Sequence, residues 1–477
     1  MRRIIRCYLL LIMLGATVFW VTGVQAFKFE VSDTQGLLKA NSKMSLKQYV
    51  KGDLFIFSQR SLPGRYWLSQ YQEMAWILNQ AKTQKALDNA PQFGVMMKKI
   101  PFHSTGYASV LAGIRQLQPS KLYLLGISET TIDLRGAQAL MRGFRSMPDL
   151  KVLVLQNNKM THPALVLKQA NQRGQLKAVY FNGTSMNDPN FQSVMQQMKA
   201  SPEMVAVGLT LKNDQQVRWF SELIQQDRRF QRVDLMLAGK IQAAVQVKLL
   251  DVLKKTQADH LTAFSLSIAP KFVLAKGFVA KYNQLINQSP HLRNIYLSLS
   301  GVVKQKTLKK IVDNLSHYSN KPFYLVLSNT SSEATLSPRG LGRLIANNYL
   351  RGVSIQDDGL DKAHYQAMNQ SLKHRTKSLH YFSSIKDRMS HDMASKMIPA
   401  AVRQRVNLVQ MSGCQDAAKL VGRIKANNLH YRLTQHQIMF GKDKKHVMHD
   451  QQPEGLHVTN TGIGGSGRHL IVNLLVE

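Results

Sequence analysis

Cysteine is nearly absent: the 477 residues include two, Cys7 and Cys414. A scaffold stapled by disulfides is therefore excluded. Zinc held by cysteine pairs is excluded as well, because neither a C-x-x-C pair nor a Cys/His ligand spacing occurs. Acidic side chains are scarce too, with 28 Asp+Glu against 63 Lys+Arg and a formal charge of +35. Such an imbalance favours anionic surroundings. Beyond the first 26 residues no run is long and apolar enough for a membrane span of roughly 20 residues. Hydrophobic residues, by contrast, make up 44% of the chain and are spread along it. That is ample for a buried core, and it excludes a chain disordered throughout.

The opening segment reads as an export signal. Arg2, Arg3 and Arg6 precede an apolar stretch from Tyr8 to Val21, and Val24 and Ala26 supply the small residues a signal peptidase reads. The expected signal is 1–26, with Phe27 as the new N-terminus. An uncleaved anchor is the alternative, but the apolar run is short for a span. Cys7 lies before that run, so a lipoprotein signal is missing. Cleavage takes three arginines from +35 and leaves +32, with Cys414 as the remaining thiol. A chain without a possible internal disulfide suits a bacterial envelope or secreted protein better than a eukaryotic extracellular module. A periplasmic or secreted location is expected.

A repeat organises the rest. Leu150, Leu153, Leu155, Asn158, Met160 and Pro163 form a pattern that returns 26 residues later as Leu176, Val179, Phe181, Thr184, Met186 and Pro189. The same frame runs through leading positions Leu122, Met204, Phe230, Leu261, Leu292, Pro322, Leu350, Thr376 and Val406. Between these strand-like segments the spacing becomes helical, as in Val245, Leu249, Val252 and Leu253. Each unit is then a short strand, a loop and a helix. Pro163 and Pro189 sit where a helix begins, since a proline at that point loses no hydrogen bond. One unit cannot bury its apolar face, whereas a stack can.

This pattern resembles the leucine-rich repeat family, in its long-repeat, helix-containing, ribonuclease-inhibitor-like subtype. The resemblance covers about 120–430. It implies an α/β curved solenoid, with parallel strands on the concave face and helices on the convex face. The family's asparagine-ladder position is filled by Asn158 and Cys414, but by Thr184 and Asp358 elsewhere. The expected organisation is a signal over 1–26, an N-terminal cap with possible degenerate repeats over 27–120, the solenoid over 121–430 and a C-terminal cap or tail over 431–477.

Three motifs invite a chemical reading. Gly462, Gly464, Gly465 and Gly467 resemble a phosphate loop, but a strand follows where a helix is needed, so a turn is expected. Cys414 and Asp416 form the Cys-x-Asp pattern that bacterial ubiquitin ligases with leucine-rich repeats use as a nucleophile. Cys414 nevertheless occupies a ladder position, and the chain beyond 430 is too short for that family's catalytic domain. His446, His449 and His457 lie outside any convincing helix, so solvated histidines are expected rather than a metal site. No enzyme activity, cofactor or metal is expected. Basic runs such as Lys373, Arg375 and Lys377 read as solvated convex faces.

Strand alternation points to a sharper feature. Positions between the core leucines face outward, and across ten repeats they include one arginine and one aspartate. The expected contact residues are Tyr180, Arg232, Asp234, Tyr296, Tyr324 and His380. A strip depleted in charge and carrying aromatics resembles an interface core. The expected function is an exported, non-enzymatic protein that binds a macromolecule, a protein partner, on its concave face. The alternatives are an envelope protein binding an anionic glycan or lipid through its basic surface, and a host-directed bacterial virulence factor. Nucleic acid fits the charge but not the compartment.

Overall fold

Strands recur where the leucine frame puts them. The computed structural model describes residues 28–31, 54–58, 93–98, 122–128, 130–269, 272–300, 313, 315, 321–328, 336–356, 359–403, 405–414, 417–433, 437–442, 457–458 and 470–471. The expected signal, the glycine-rich turn and His446 with His449 fall outside them.

The strands in chain order are β1 (Lys28–Val31), β2 (Leu54–Ser58), β3 (Phe93–Lys98), β4 (Leu122–Ser128), β5 (Thr131–Ile132), β6 (Val152–Val154), β7 (Lys159–Met160), β8 (Ala178–Tyr180), β9 (Ala206–Asn213) and β10 (Arg232–Lys240). They continue with β11 (Ala263–Ile268), β12 (Asn294–Ser300), β13 (Phe323–Ser328), β14 (Leu350–Gln356), β15 (Leu379–Met389), β16 (Val406–Cys414), β17 (His430–Leu433), β18 (Gln437–Gly441), β19 (His457–Val458) and β20 (Leu470–Ile471). Sixteen of them form one sheet in the order β1-β2-β3-β4-β6-β8-β9-β10-β11-β12-β13-β14-β15-β16-β18-β17. Pairing is parallel up to β16 and antiparallel between β16 and β18 and between β18 and β17, so a hairpin ends the stack. The segment expected to cap the N-terminal end adds β1, β2 and β3 to the same sheet, in parallel.

A helix follows most strands: Leu134–Phe144, Pro163–Ala170, Asp188–Lys199, Asp214–Gln226, Ala243–Gln257, Phe278–Gln288, Pro338–Ala346, Lys362–Lys373 and Ala417–Ala426. Pro163 opens its helix and Pro189 is the second residue of its own, as the sequence indicated. Asp133, Asn187 and Asn213 cap three N-termini by accepting from the backbone N–H three residues on. The core lies between sheet and helices. Leu153, Val179, Val207, Val233, Phe264 and Ile295 align from strand to strand and are buried. The chain is therefore an α/β repeat solenoid. Strands stack about 4.8 Å apart while helices are about 10 Å wide, which puts the sheet on the inner side of the curve.

Two kinds of polar stitch join successive repeats. At the strand exits, Asn158 donates from Nδ2 to Ile127 O at 2.7 Å and accepts at Oδ1 from Thr130 N at 3.0 Å. Thr184 fills the same rung in the next repeat, donating to Leu155 O and accepting from Asn158 N. At the other edge, side chains reach back about one repeat to carbonyls at helix C-termini and the turns after them. Arg229 donates to Met198 O and Met204 O, both at 2.7 Å. Gln257 donates to Ile224 O and Asp227 O at 2.8 Å. Arg375 donates to Ile345 O and Leu350 O at 2.6 Å, to Lys377 O at 2.9 Å and to Asn347 O.

Arg375 corrects the reading of its basic run as a solvated face: it is 1% exposed. Burial lowers its pKa to about 10, which still leaves it charged near neutrality. Four carbonyl acceptors take the place of water around the guanidinium. Arg375→Ala strands those carbonyls and should cost about 3 kcal/mol or more in urea denaturation. Arg375→Lys should recover little, because an ammonium cannot span carbonyls arranged for a planar fork. Wild-type stability in Arg375→Ala would show that the carbonyls are satisfied without it.

Candidate functional site

The outward positions of the strands line up in columns. One column runs Val154, Tyr180, Gly208, Asp234, Ser265, Tyr296, Tyr324, Gly352, Tyr381 and Leu408. The next runs Thr210, Met236, Ser267, Ser298, Val326, Ser354, Ser383 and Gln410. The structure therefore brings Tyr180, Asp234, Tyr296 and Tyr324 into one row, with Arg232 one step away along β10. Between β12 and β13 the repeat frame slips by two residues, because Tyr296, the second outward residue of its strand, pairs with Tyr324, the first of the next.

His380 is misplaced by the sequence reading. The pairing of β14 with β15 sets Tyr381, not His380, opposite Gly352, and Phe382 opposite core Val353. Thr376 is not the leading residue of that repeat; buried Leu379 is, paired with Val406. The sequence carried the signal, since Leu379 divides the interval from Leu350 to Val406 into nearly equal parts of 29 and 27 residues. His380 is half-buried beside this column rather than in it.

The tyrosines differ from expectation in exposure as well. Tyr296 is 2% and Tyr324 7% exposed, and their rings stack with centroids 5.1 Å apart and planes 14° apart. Glycines make room for such leaning side chains. A Cβ built on Gly208 would lie 2.1 Å from Asn182 Oδ1 and 2.5 Å from Tyr180 Cδ1. One on Gly352 would lie 2.5 Å from Tyr324 Cδ1. Each ring thus covers the backbone of the next strand, and Tyr381 Oη donates to Gln410 Oε1 at 2.5 Å. These rings add packing and are not free anchors. Arg232, Met236 and Ser267 remain half-exposed, so the open part of the strip lies on β10 and β11.

Burial leaves unmet polar capacity along the strip. Ser128 Oγ, Gln156 Oε1, Tyr180 Oη, Asn182 Oδ1, Ser265 Oγ and Ser383 Oγ are buried without a hydrogen-bond partner, six of the ten such atoms among the described residues. Asn182 uses its Nδ2 to donate to Asp234 O at 3.2 Å. Asp234 is 4% exposed, and desolvation raises its carboxyl to about pH 7 although the side chains of Ser265 and Asn182 beside it pull the other way. Burial also raises the Tyr180 phenol; Arg232 opposes that and Asp234 reinforces it.

Cys414 lies in β16, in a stretch where backbone alone is described. Among the described residues no group of three or more His, Cys, Asp or Glu is placed to hold a metal. No helix among them is long and apolar enough to cross a membrane.

No family model matches this chain, and no curated protein does. Among solved structures it is similar to that of the yeast Rad7 and Elc1 complex, at 13% identity and a TM-score of 0.39, over 82% of this chain and 96% of that one. A likeness at that score carries no argument, and the fold rests on the register described above.

Asp234 yields a pH test. A carboxyl held near pH 7 in the fold, against about 3.9 unfolded, binds its proton more tightly when folded. Its contribution to stability is therefore fully present below about pH 4 and lost as pH rises to about 7. Asp234→Asn should gain stability over the wild type as pH rises from 4 to 7, with a constant difference above that. A difference independent of pH in urea titrations would mean that the carboxyl titrates normally.

Proposed function

We propose that the chain is an exported, non-enzymatic leucine-rich repeat protein of the ribonuclease-inhibitor-like subtype, which binds a protein partner through its strand face. The helices between strands and the filled ladder at Asn158 and Thr184 support the subtype. The half-exposed Arg232, Met236 and Ser267, set in a strand face depleted in charge, carry the binding reading. Contact begins at the half-exposed Arg232, Met236 and Ser267, with Asp234 and Tyr180 behind them.

Periplasmic or secreted location follows from the expected signal and is part of the same proposal. A second reading, an envelope protein recognising an anionic glycan or lipid, is favoured by the +35 charge.

Affinity capture from a periplasmic or culture extract, at low and high salt, separates the two. The strand-face reading expects a partner retained at high salt and weakened by about 2 kcal/mol, roughly thirtyfold, in Arg232→Ala/Met236→Ala. Retention of that partner by the double variant would remove the strip from the interface. Capture of salt-labile polyanions alone would favour the second reading.

A further inference from the structure

The outer face of the helix Ala243–Gln257 carries a groove of about 630 Å³. Its apolar side comes from Ala244, Val247 and Val252, and its rim from Lys248, Lys255 and Lys276. Ala244, Val247, Lys248, Asp251 and Lys255 recur at helical spacing, so the apolar stripe and the lysines share one face.

The one carboxylate there is already engaged: Asp251 Oδ1 takes Lys281 Nζ at 3.0 Å and Lys254 Nζ at 3.7 Å. Among the described residues no carboxylate pairs with Lys248, Lys255 or Lys276. Beside the groove the chain turns outward and holds Val273 in solvent, 80% exposed. That segment is pinned to the helix, because Gln246 Nε2 donates to Val273 O and Gln246 Oε1 accepts from Ala275 N, both at 2.9 Å. Val273 therefore extends the apolar surface of the trough into solvent beside the three lysines.

We propose that this groove binds an anionic phospholipid at a membrane surface: the lysines take the headgroup phosphate, while Ala244, Val247 and Val273 contact the acyl region. The site is independent of the strand-face reading. A glycan or free phosphate would use the lysines but leave the apolar trough and Val273 uncovered, so the lipid is the occupant that accounts for both.

The test is co-flotation of the full chain with phosphatidylcholine vesicles, with and without phosphatidylglycerol, and with inorganic phosphate as competitor. Binding should require phosphatidylglycerol and resist phosphate. Lys248→Glu/Lys276→Glu and, separately, Val247→Asn/Val273→Asn should each weaken binding about tenfold. Lys168→Glu/Lys199→Glu, a charge-matched pair on other helices, should change it by less than about twofold, with melting curves showing that all variants fold. Equal losses in the control pair would replace the groove with diffuse charge. Unchanged binding by the valine variant, or full displacement by phosphate, would overturn the lipid assignment.

Discussion

A helix that ends leaves carbonyls without partners, and in a solenoid those ends line up along one edge with no second layer to cover them. This chain meets them with side chains from the following repeat. Arg229, Gln257 and Arg375 each reach back to a helix end or the turn beyond it. The interaction is intrinsically between repeats, so it converts separate strand–helix units into one stack, and it consumes part of the cationic excess internally. The asparagine ladder does the same at the strand exits, and Thr184 shows that a shorter hydroxyl can hold a rung. Between these two edges the apolar columns are left to close-pack.

The repeat was legible because its signal is local: leucines at fixed offsets and prolines at helix starts need no knowledge of neighbours. Register between repeats was less legible. The two-residue slip between β12 and β13 leaves every strand's alternation intact, and Leu379 was obscured by Phe382 and by Tyr381, whose aromatic rings serve opposite faces. Exposure was not legible either. Alternation gives the side of a sheet on which Tyr296 lies, but whether its ring stands in solvent or lies on the next strand depends on what stands opposite, here Tyr324 and, one strand further, Gly352. Arg375 was missed for a related reason: nothing local separates a cation that caps a distant helix from one in solvent.

The strip that results is a tightly packed row rather than an open surface. Glycines at Gly208 and Gly352 let aromatic rings close over the backbone, and the closure strands polar atoms and raises the Asp234 carboxyl. Along this face β10 and β11 keep Arg232, Met236 and Ser267 in reach of solvent, which is where the proposed contact begins. The helix face differs in kind, with lysines and apolar side chains exposed together. The two proposals accordingly draw on two different faces, a protein partner on the strand face and an anionic lipid on the helix face.

Closure of the strip is the claim on which this account turns, and tyrosine modification of the native chain measures it directly. Tyr349, 36% exposed, serves as the internal standard. Iodination mapped by peptide mass spectrometry should label Tyr349 readily while Tyr296, Tyr324 and Tyr381 stay protected until the chain unfolds. Labelling of Tyr296 and Tyr324 at the rate of Tyr349 would mean that the rings stand free in solvent and that the strip is an open aromatic surface.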